Sequence, residues 1–485
     1  MRKYTYNHSR IVFKKLSLLL FGLLISTATL AHGPDLSHGE YAALPLHQEK
    51  QLGQQFMREV RQQLPLSDDP IVNDYITHLG LHLASFSPRA DFSFHFFVVQ
   101  SSEINAFAGP GGYIGINSGL ILAAHSEREL AAVMAHEIAH VTQRHIARSI
   151  ENANRLQWAS ILGLLAAIPA GIQSPDAAIG LIGATQAAAL EKMLGFSRDY
   201  EREADDVGIQ IMAAAGYSTA GMTEFLKILL ANHYPSDYDP IIENLSTHPD
   251  SAERVARSLT FEDQPQTTSE RFDSRQFHLI QARLLIEAYQ NTTVLTKDLK
   301  EDLDSHKTPP ASLRYALALA LLQSNQLTQA QQQISRLTKQ FPDELILQMT
   351  ALQITQAQGK TDIALKGLKQ LYNDHPDYFP LLLQYAKALT ANGQTRQALK
   401  LLQAERSEHQ HDLAFLTTLA STQNAAGDKI DMYQTQADIY LILGQEAKAL
   451  ALLQNAKRIS GDRIEMAKIA RKIKAIRKSA TSKKN

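Results

Sequence analysis

The sequence predicts a mainly α-helical protein of the α+β class, in which a first half with a small β-sheet precedes an α-helical solenoid. The first half contains apolar patterns of helical period and two short β-prone runs separated by glycine and proline. The second half repeats small residues and glycines every 34 residues. Because 485 residues exceed what one hydrophobic core usually serves, we divide the chain into a leader (1–31), a first domain (32–265), a linker with a leading helix (266–311) and a repeat region (312–485).

The segment His136-Glu137-Ile138-Ala139-His140 carries the main chemical signal. Its histidines are four residues apart, so on a helix both rings can bind one metal ion while Glu137 stands beside it as a general base. Ser126 and Glu129 predict an N-cap with a capping box, and the apolar residues that follow predict one helix near residues 127–152. Such a short motif also occurs by chance, so a third ligand has to be found.

The third ligand is predicted on a second helix. His145 is excluded, because in a continuous helix it would point about 140° away from His140. Some sixty residues later, Glu201 and Asp205 share one face of a helical pattern, whereas Glu203 is turned away from it. We therefore predict that Glu201 is the carboxylate ligand and that Asp205 accepts the free ring N–H of a ligating histidine.

These segments together resemble a known family. The histidine motif followed by Arg198-x-x-Glu201-x-Glu203-Ala204-Asp205 is similar to the gluzincin family of HtpX and the CAAX prenyl proteases. Asn105–Ile114 resembles the strand that precedes the zinc helix in that family, and Ser246-Thr247-His248-Pro249 resembles its HP segment. The resemblance implies a zincin-type metalloprotease domain with one Zn²⁺ per chain, bound by His136, His140 and Glu201.

The resemblance also assigns further roles. In the BepA-like branch the corresponding histidine can occupy the open zinc position and hold the enzyme latent, so His248 is expected as a fourth, removable ligand. Glu137 is expected to take a proton from the attacking water. By analogy with the family, Asp205 could also donate a proton directly. For Arg254, pairing with an active-site carboxylate or a developing oxyanion and a plain surface position are equally compatible with the sequence. Arg202 and Glu203 are expected to be solvated and paired within their own helix.

The β-prone runs Phe94–Val99 and Tyr113–Ile116 predict a small sheet beside the site. An edge strand there could pair with an extended substrate through main-chain hydrogen bonds, which give affinity with little side-chain selectivity. A purely structural hairpin is equally compatible with these residues.

The N-terminus predicts a secreted chain, and the family resemblance implies the periplasm of a Gram-negative cell as its destination. Basic residues precede the apolar stretch Leu16–Ile25, and Thr29-Leu30-Ala31 is a small-residue cleavage site, so a signal peptide is expected to be cleaved near Ala31. The apolar stretch is shorter than the roughly 20 residues that span a bilayer. The chain has no cysteine, so a metal has to be held by nitrogen and oxygen.

Two regions leave the question of membrane contact open. Residues 159–190 are apolar but are interrupted by Pro169 and Pro175, and we expect a helical hairpin over the site, in contact with membrane or buried as core. Residues 457–484 are basic, which predicts a capping helix with a frayed tail, with an anionic membrane surface as the alternative partner. A formal net charge of −1 gives no nucleic-acid signature, so no nucleic acid is expected as a partner.

The repeat has the period of tetratricopeptide (TPR) repeats, 34 residues. It is seen in Ala330, Ala364 and Ala398, and in a turn series of Asn325, Gly359, Gly393 and Gly427. The turn residue and the alanine of each repeat are five residues apart. Gly444 and Ala449 keep this spacing but do not continue the 34-residue series, so we count about four repeats, continuing to about residue 458. Such an array binds peptides or proteins and has no chemistry of its own.

A secreted gluzincin joined to TPR repeats resembles the periplasmic BepA-like proteases over nearly the whole mature chain. That resemblance implies a dual role, namely chaperone-like assistance to outer-membrane β-barrel proteins and degradation of those that stall. The implied partners are unfolded or stalled barrel proteins and, through the repeats, the β-barrel assembly machinery. The competing class is a non-catalytic TPR adaptor whose zinc site is latent or structural.

Overall fold

A computed structural model describes residues 44–89, 92–151, 198–233, 251–262, 275–289 and 292–482, all of which lie in one compact unit, Leu44–Asn485. The first half contains α1 (Leu46–Gln63), α2 (Pro70–Ala84), β1 (His95–Val99), β2 (Ala106–Ala108), β3 (Tyr113–Asn117), α3 (Ser118–Ala123), α4 (Glu127–Thr142), α5 (His145–Glu151), α6 (Arg198–Ala214), α7 (Ala220–His233) and α8 (Ser251–Glu262). The second half contains α9 (Arg275–Ala288), α10 (Thr292–Ser305), α11 (Ala311–Gln323), α12 (Leu327–Gln340), α13 (Leu345–Ala357), α14 (Thr361–Asp374), α15 (Phe379–Ala391), α16 (Thr395–Glu405), α17 (Leu413–Ala426), α18 (Lys429–Ile442), α19 (Glu446–Ile459) and α20 (Arg463–Ser482). The mainly α, α+β class is confirmed.

The small sheet is packed between helices on both faces. Its strand order is β1-β3-β2, with β1 parallel and β2 antiparallel to β3. Side chains alternate along the strands, so Phe97 and Phe107 pack with Phe56 and Val60 of α1. Their neighbours on the opposite face, including Ile114, belong to the large core that contains α4. The sheet therefore joins α1 to the histidine-bearing helix, and β2 is one of its edges.

Helix α4 is the central helix of the first half, since every residue in it except Arg128 is buried. The Ser126 side chain makes no capping hydrogen bond, which differs from the predicted capping box. The Glu129 carboxylate instead accepts the main-chain N–H of His125 at 2.6 Å. Glu129 thus caps the N–H of His125, one residue before Ser126, whose N–H is the partner that the capping box predicts.

The prediction of one helix near residues 127–152 is wrong. Helix α4 ends at Thr142, and α5 begins at His145 after a break at Arg144, whose φ is 56°. Left-handed backbone is uncommon for a non-glycine residue. Buried contacts hold it here, because Arg144 donates from Nη2 to the main-chain oxygen of Leu44 and to Glu49 Oε2, the latter at 3.0 Å.

The second half is a solenoid of antiparallel helix pairs with the predicted period. Asn325, Gly359, Gly393 and Gly427 all have positive φ and end the first helix of a pair. The small residues of the series, Ala330, Ala364 and Ala398, are fully buried where paired helices touch, and so is the out-of-register Ala449. The turn residues end helices, and the alanines allow paired helices to touch. Each repeat needs both features, so both recur every 34 residues.

The solenoid is fastened to the first half by buried polar contacts. From α9, Gln281 Nε2 donates to the main-chain oxygens of Ile121 and Ala124 at 2.9 and 2.7 Å. Arg283 of the same helix donates to Asp69 Oδ2 at 2.6 Å and to the Tyr315 hydroxyl at 2.7 Å. Since Asp69 also caps the start of α2, one carboxylate links that helix to the repeats.

Three predicted features lie outside the described residues: the signal peptide, the apolar hairpin at residues 159–190 and His248. Within the ranges that are described, no helix is both long and apolar enough to cross a membrane. The basic C-terminal stretch forms α20, whose Ile469 and Ile473 pack into the last core cluster of the solenoid.

Candidate metal centre

Helices α4 and α6 bring three ligand-type side chains to one point. The Nε2 atoms of His136 and His140 lie 2.9 Å apart. Glu201 places Oε2 at 3.4 Å from His136 Nε2 and Oε1 at 3.4 Å from His140 Nε2. All three residues are buried, so the donor atoms converge inside the protein.

This donor set fits a zinc ion. Two imidazole nitrogens and one carboxylate oxygen are a ligand combination that catalytic zinc sites use. Tetrahedral coordination with bonds of about 2.1 Å separates ligand atoms by about 3.4 Å, close to the distances between these three groups. Among the described residues the other trio of this kind is Glu405, Glu408 and His409 of the solenoid, and it is not buried.

Asp205 and Arg254 form the environment of His136. Asp205 Oδ1 lies 2.9 Å from His136 Nδ1, as expected for a carboxylate that accepts the ring N–H. Arg254 of α8 donates from Nε and Nη2 to Asp205 at 2.8 and 2.7 Å, and its Nη1 lies 3.0 Å from Glu201 Oε2. Arg254 is buried, so of the two alternatives open for it, pairing with active-site carboxylates is what the structure has.

The charges in this cluster shift its pKa values. Burial and Arg254 both oppose protonation of His136, but hydrogen bonds to Asp205 and Glu201 outweigh them and raise the pKa of the ring to about 9. Burial alone would raise the pKa of Asp205, yet Arg254 and His136 lower it well below its usual range. Asp205 is therefore a fixed carboxylate beside His136.

His145 forms the environment of His140. Its Nδ1 lies 2.8 Å from His140 Nδ1, and its Nε2 lies 3.2 Å from Glu203 Oε2. Burial lowers the pKa of both imidazoles. The prediction that His145 is not a ligand agrees with its position, but the prediction that it points away from the site is wrong, because the helix break at Arg144 turns it back.

Glu203 and Arg202 also differ from expectation. Glu203 binds Arg148 of α5 at 2.8 Å, and Arg202 binds Glu253 of α8 at 2.7 Å, although Arg202 also pairs with Asp199 within α6 at 3.5 Å, as expected. On α6, Glu203 faces away from the metal-ligating atoms, as its helical phase predicts. It still contacts the site indirectly, through its hydrogen bond with His145. No local sequence pattern signals such contacts, because their partners lie on other helices.

Glu137 is buried next to the ligands. It follows His136 directly on α4. Burial lowers the pKa of Arg254, but nearby carboxylates raise it, and the effect of Glu137 is smaller than those of Asp205 and Glu201. A carboxylate held beside a metal site can take a proton from water and return it to a leaving group. The arrangement is therefore capable of metal-assisted hydrolysis.

The edge strand β2 lies alongside the metal helix. The main-chain N–H of Asn117 donates to the oxygen of Asn105, and the antiparallel register pairs Phe107 with Gly115. Ala106 and Ala108 alternate with the hydrogen-bonded residues of β2, so their N–H and C=O groups point away from β3, at an edge where the two residues are only 3% and 7% exposed. An extended chain can pair with such an edge.

Comparison with known proteins covers both halves of the chain. Residues 70–260 match the model of Peptidase family M48, and residues 356–422 match a tetratricopeptide repeat. The chain is 30% identical over 427 residues to a protein of Escherichia coli (strain K12) named beta-barrel assembly-enhancing protease, with 87% of this chain and 86% of the relative covered. A Vibrio cholerae protein named putative beta-barrel assembly-enhancing protease is 30% identical, with 88% of each chain covered.

Proposed function

Because this chain belongs to peptidase family M48 and is a metalloprotease with a C-terminal TPR region, we propose that it is a periplasmic zinc endopeptidase for outer-membrane β-barrel proteins. The observation that carries the proposal is the convergence of His136, His140 and Glu201 on one point in the protein interior. Zinc is the metal that this donor set suits best.

The mechanism follows from the groups around the metal ligands. A zinc ion held there would supply a Lewis acid that acidifies water and polarises a peptide carbonyl. Glu137 takes the proton from the attacking water and delivers it to the leaving amide nitrogen. Asp205 holds His136 in the tautomer that leaves Nε2 free for the metal, and Arg254 keeps that carboxylate charged and oriented.

The proposed substrates are unfolded or stalled β-barrel proteins. The curated relatives carry barrel assembly in their names, and the similarity extends through both halves of this chain. A barrel strand that has not yet paired presents free main-chain groups, which is what the edge at Ala106 and Ala108 can bind. This mode of recognition fits a protease that has to accept many sequences.

The solenoid is proposed to bind partners rather than to act on them. TPR arrays recognise proteins through helical surfaces, and the supporting observation is that this one is fastened to the protease by α9. A barrel precursor or the β-barrel assembly machinery bound by the repeats would be brought to the catalytic half. Assistance to barrel assembly would then depend on the repeats, and degradation on the metal centre.

We further propose that His248 is a removable fourth ligand that keeps the protease latent. In the sequence His248 stands three residues before α8, and Arg254 on that helix binds Asp205 and Glu201 at the metal centre. Four protein ligands would leave no open position for water.

The decisive experiment uses the purified mature protein and an unfolded outer-membrane β-barrel protein. Glu137→Gln should retain zinc and lose cleavage, because the amide cannot act as a base. Glu201→Ala should lose zinc, whereas Glu408→Ala, in the exposed trio, should not. If Glu137→Gln cleaves at the wild-type rate, the mechanism is wrong.

The same assay tests latency and the adaptor alternative. His248→Ala should bind one zinc ion and cleave faster than the wild type. Unchanged or slower cleavage with zinc retained would remove the latency proposal. If neither wild type nor His248→Ala cleaves any substrate while both bind barrel precursors, the chain is an adaptor with a structural metal site.

A further inference from the structure

The break between α4 and α5 places a second histidine directly behind a metal ligand. Arg144 takes left-handed backbone, so α5 starts in a new direction and its first residue, His145, faces back toward α4. The His145 ring is fully buried, with Nδ1 at 2.8 Å from His140 Nδ1. A nitrogen-to-nitrogen distance of this size between two imidazoles requires that one donates and the other accepts.

The direction of the hydrogen bond follows from which nitrogen faces the ligand set. His140 Nε2 is the atom near His136 Nε2 and Glu201, so it has to be unprotonated to bind a metal. A neutral His140 then carries its proton on Nδ1 and donates it to His145 Nδ1. His145 in turn carries its own proton on Nε2, which faces Glu203 Oε2 at 3.2 Å.

The outer end of this chain of hydrogen bonds is held in place by three further contacts. Arg148 Nη1 donates to the same Glu203 oxygen at 2.8 Å. The Tyr200 ring stacks on His145 with centroids 4.5 Å apart and planes within 4°, and the Arg148 guanidinium lies 4.4 Å from the Tyr200 centroid. The stacking fixes the rotation of the His145 ring, and the ion pair fixes the carboxylate that accepts from it.

We propose that His145 and Glu203 are positioning residues that set the tautomer and ring orientation of His140 for metal binding. The inference rests on the proposed metal centre and extends it, since it gives the second histidine ligand an outer partner equivalent to Asp205 on His136. The two outer partners are of different kinds. A charged carboxylate contacts His136 directly, whereas a neutral ring stands between His140 and Glu203.

The expected effect is on metal affinity. Loss of the outer hydrogen-bond partner of a ligating histidine typically weakens metal binding about 10–100-fold. His145→Phe keeps a ring that can stack on Tyr200 but has no acceptor for His140 Nδ1–H. His145→Asn places an amide oxygen near the position of the lost Nδ1 and should recover part of the affinity.

The test measures the zinc dissociation constant of the full mature chain by competition with a chromophoric chelator. We expect His145→Phe to bind zinc at least about tenfold more weakly than the wild type, His145→Asn to lie between them, and the exposed control His78→Ala to match the wild type. Nitrogen-15 shifts of the His140 ring report the tautomer directly. In the zinc-free protein they should show a protonated Nδ1 in the wild type and a mixture of tautomers in His145→Phe.

Glu203→Ala covers the case in which His145→Phe does not fold. Glu203 is 32% exposed on its side chain, and Glu224, which pairs with Arg128, is a matched control at 33%. Glu203→Ala should weaken zinc binding about threefold or more, and Glu224→Ala should not. Wild-type affinity in both His145→Phe and Glu203→Ala, or equal losses in His145→Phe and His145→Asn, would overturn the proposal. A wild type that binds no zinc would instead refute the metal centre itself.

Discussion

Gly208 of α6 packs against the main chain of His136 of α4. A Cβ atom placed on Gly208 would lie 3.2 Å from both the Cα and the main-chain nitrogen of His136, tighter than ordinary van der Waals contact. Gly208 shares a helix face with Glu201 and Asp205. The close approach of the two helices at this glycine is therefore what allows both carboxylates to reach the histidines.

Enlarging residue 208 should separate the metal ligands. Gly208→Val pushes α6 away from α4, and overpacking of this kind costs about 1–3 kcal/mol of stability. We expect a lower melting temperature of the metal-free protein together with weaker zinc binding. Gly461→Ala is the control, since a Cβ there meets nothing within 4 Å. Unchanged zinc affinity in Gly208→Val would mean that the ligand geometry does not depend on this contact.

Removing Arg254 should destabilise the metal-free protein. Arg254→Ala leaves the buried Asp205 and Glu201 carboxylates without their cation, and breaking a buried pair in this way costs about 3 kcal/mol. Added zinc should restore part of this stability, because it neutralises Glu201. Chemical denaturation with and without zinc measures both effects. A variant as stable as the wild type would show that the ion pairs are not formed in solution.

Arg283 should be the strongest single link between the two halves. Its side chain and that of Asp69 are only 13% and 12% exposed, so Arg283→Ala leaves a buried carboxylate without its cation, while the Tyr315 hydroxyl keeps its hydrogen bond with Thr350. We expect a loss of about 3 kcal/mol in unfolding free energy. Lys297→Ala, whose side chain is 76% exposed, should change stability little. Equal effects in the two variants would contradict a specific role for Arg283.

Glu287 should make stability depend on pH. Burial raises the pKa of this carboxyl from 4.5 to about 7, although a hydrogen bond from Ser67 opposes the shift. Between these values the folded state keeps a proton that the unfolded state has released, so stability falls as pH rises. Glu287→Gln should therefore lose less melting temperature than the wild type between pH 5 and pH 8. An identical decrease in both proteins would assign the pH dependence to other groups.

The sequence predicts the metal ligands and the repeats because each is a local periodic pattern. Glu201 and Asp205 lie on one face since α6 is an uninterrupted helix. The 34-residue interval places Gly359 at the end of a helix, where it has positive φ. Helical phase gives the wrong direction for His145, because Arg144 interrupts the helix with no glycine to mark the break. Arg254 could not be assigned, because its partners are chosen by the packing of α8 on α6 and not by neighbours in the chain.

The contact between Gln62 of α1 and the turn at Leu443 has a consequence for how the chain folds. Gln62 Nε2 donates to the Leu443 oxygen at 3.1 Å across 381 residues, the kind of non-local closure that forms late because chain entropy opposes it. We expect helix content to return before this contact during refolding. Since the chain has no cysteine, dyes attached to Gln63→Cys and Ala447→Cys, exposed neighbours of the contact, would time the closure without removing it. On the ribosome this hydrogen bond can form only after the last repeats have been made, so a chain truncated before Leu443 folds without it.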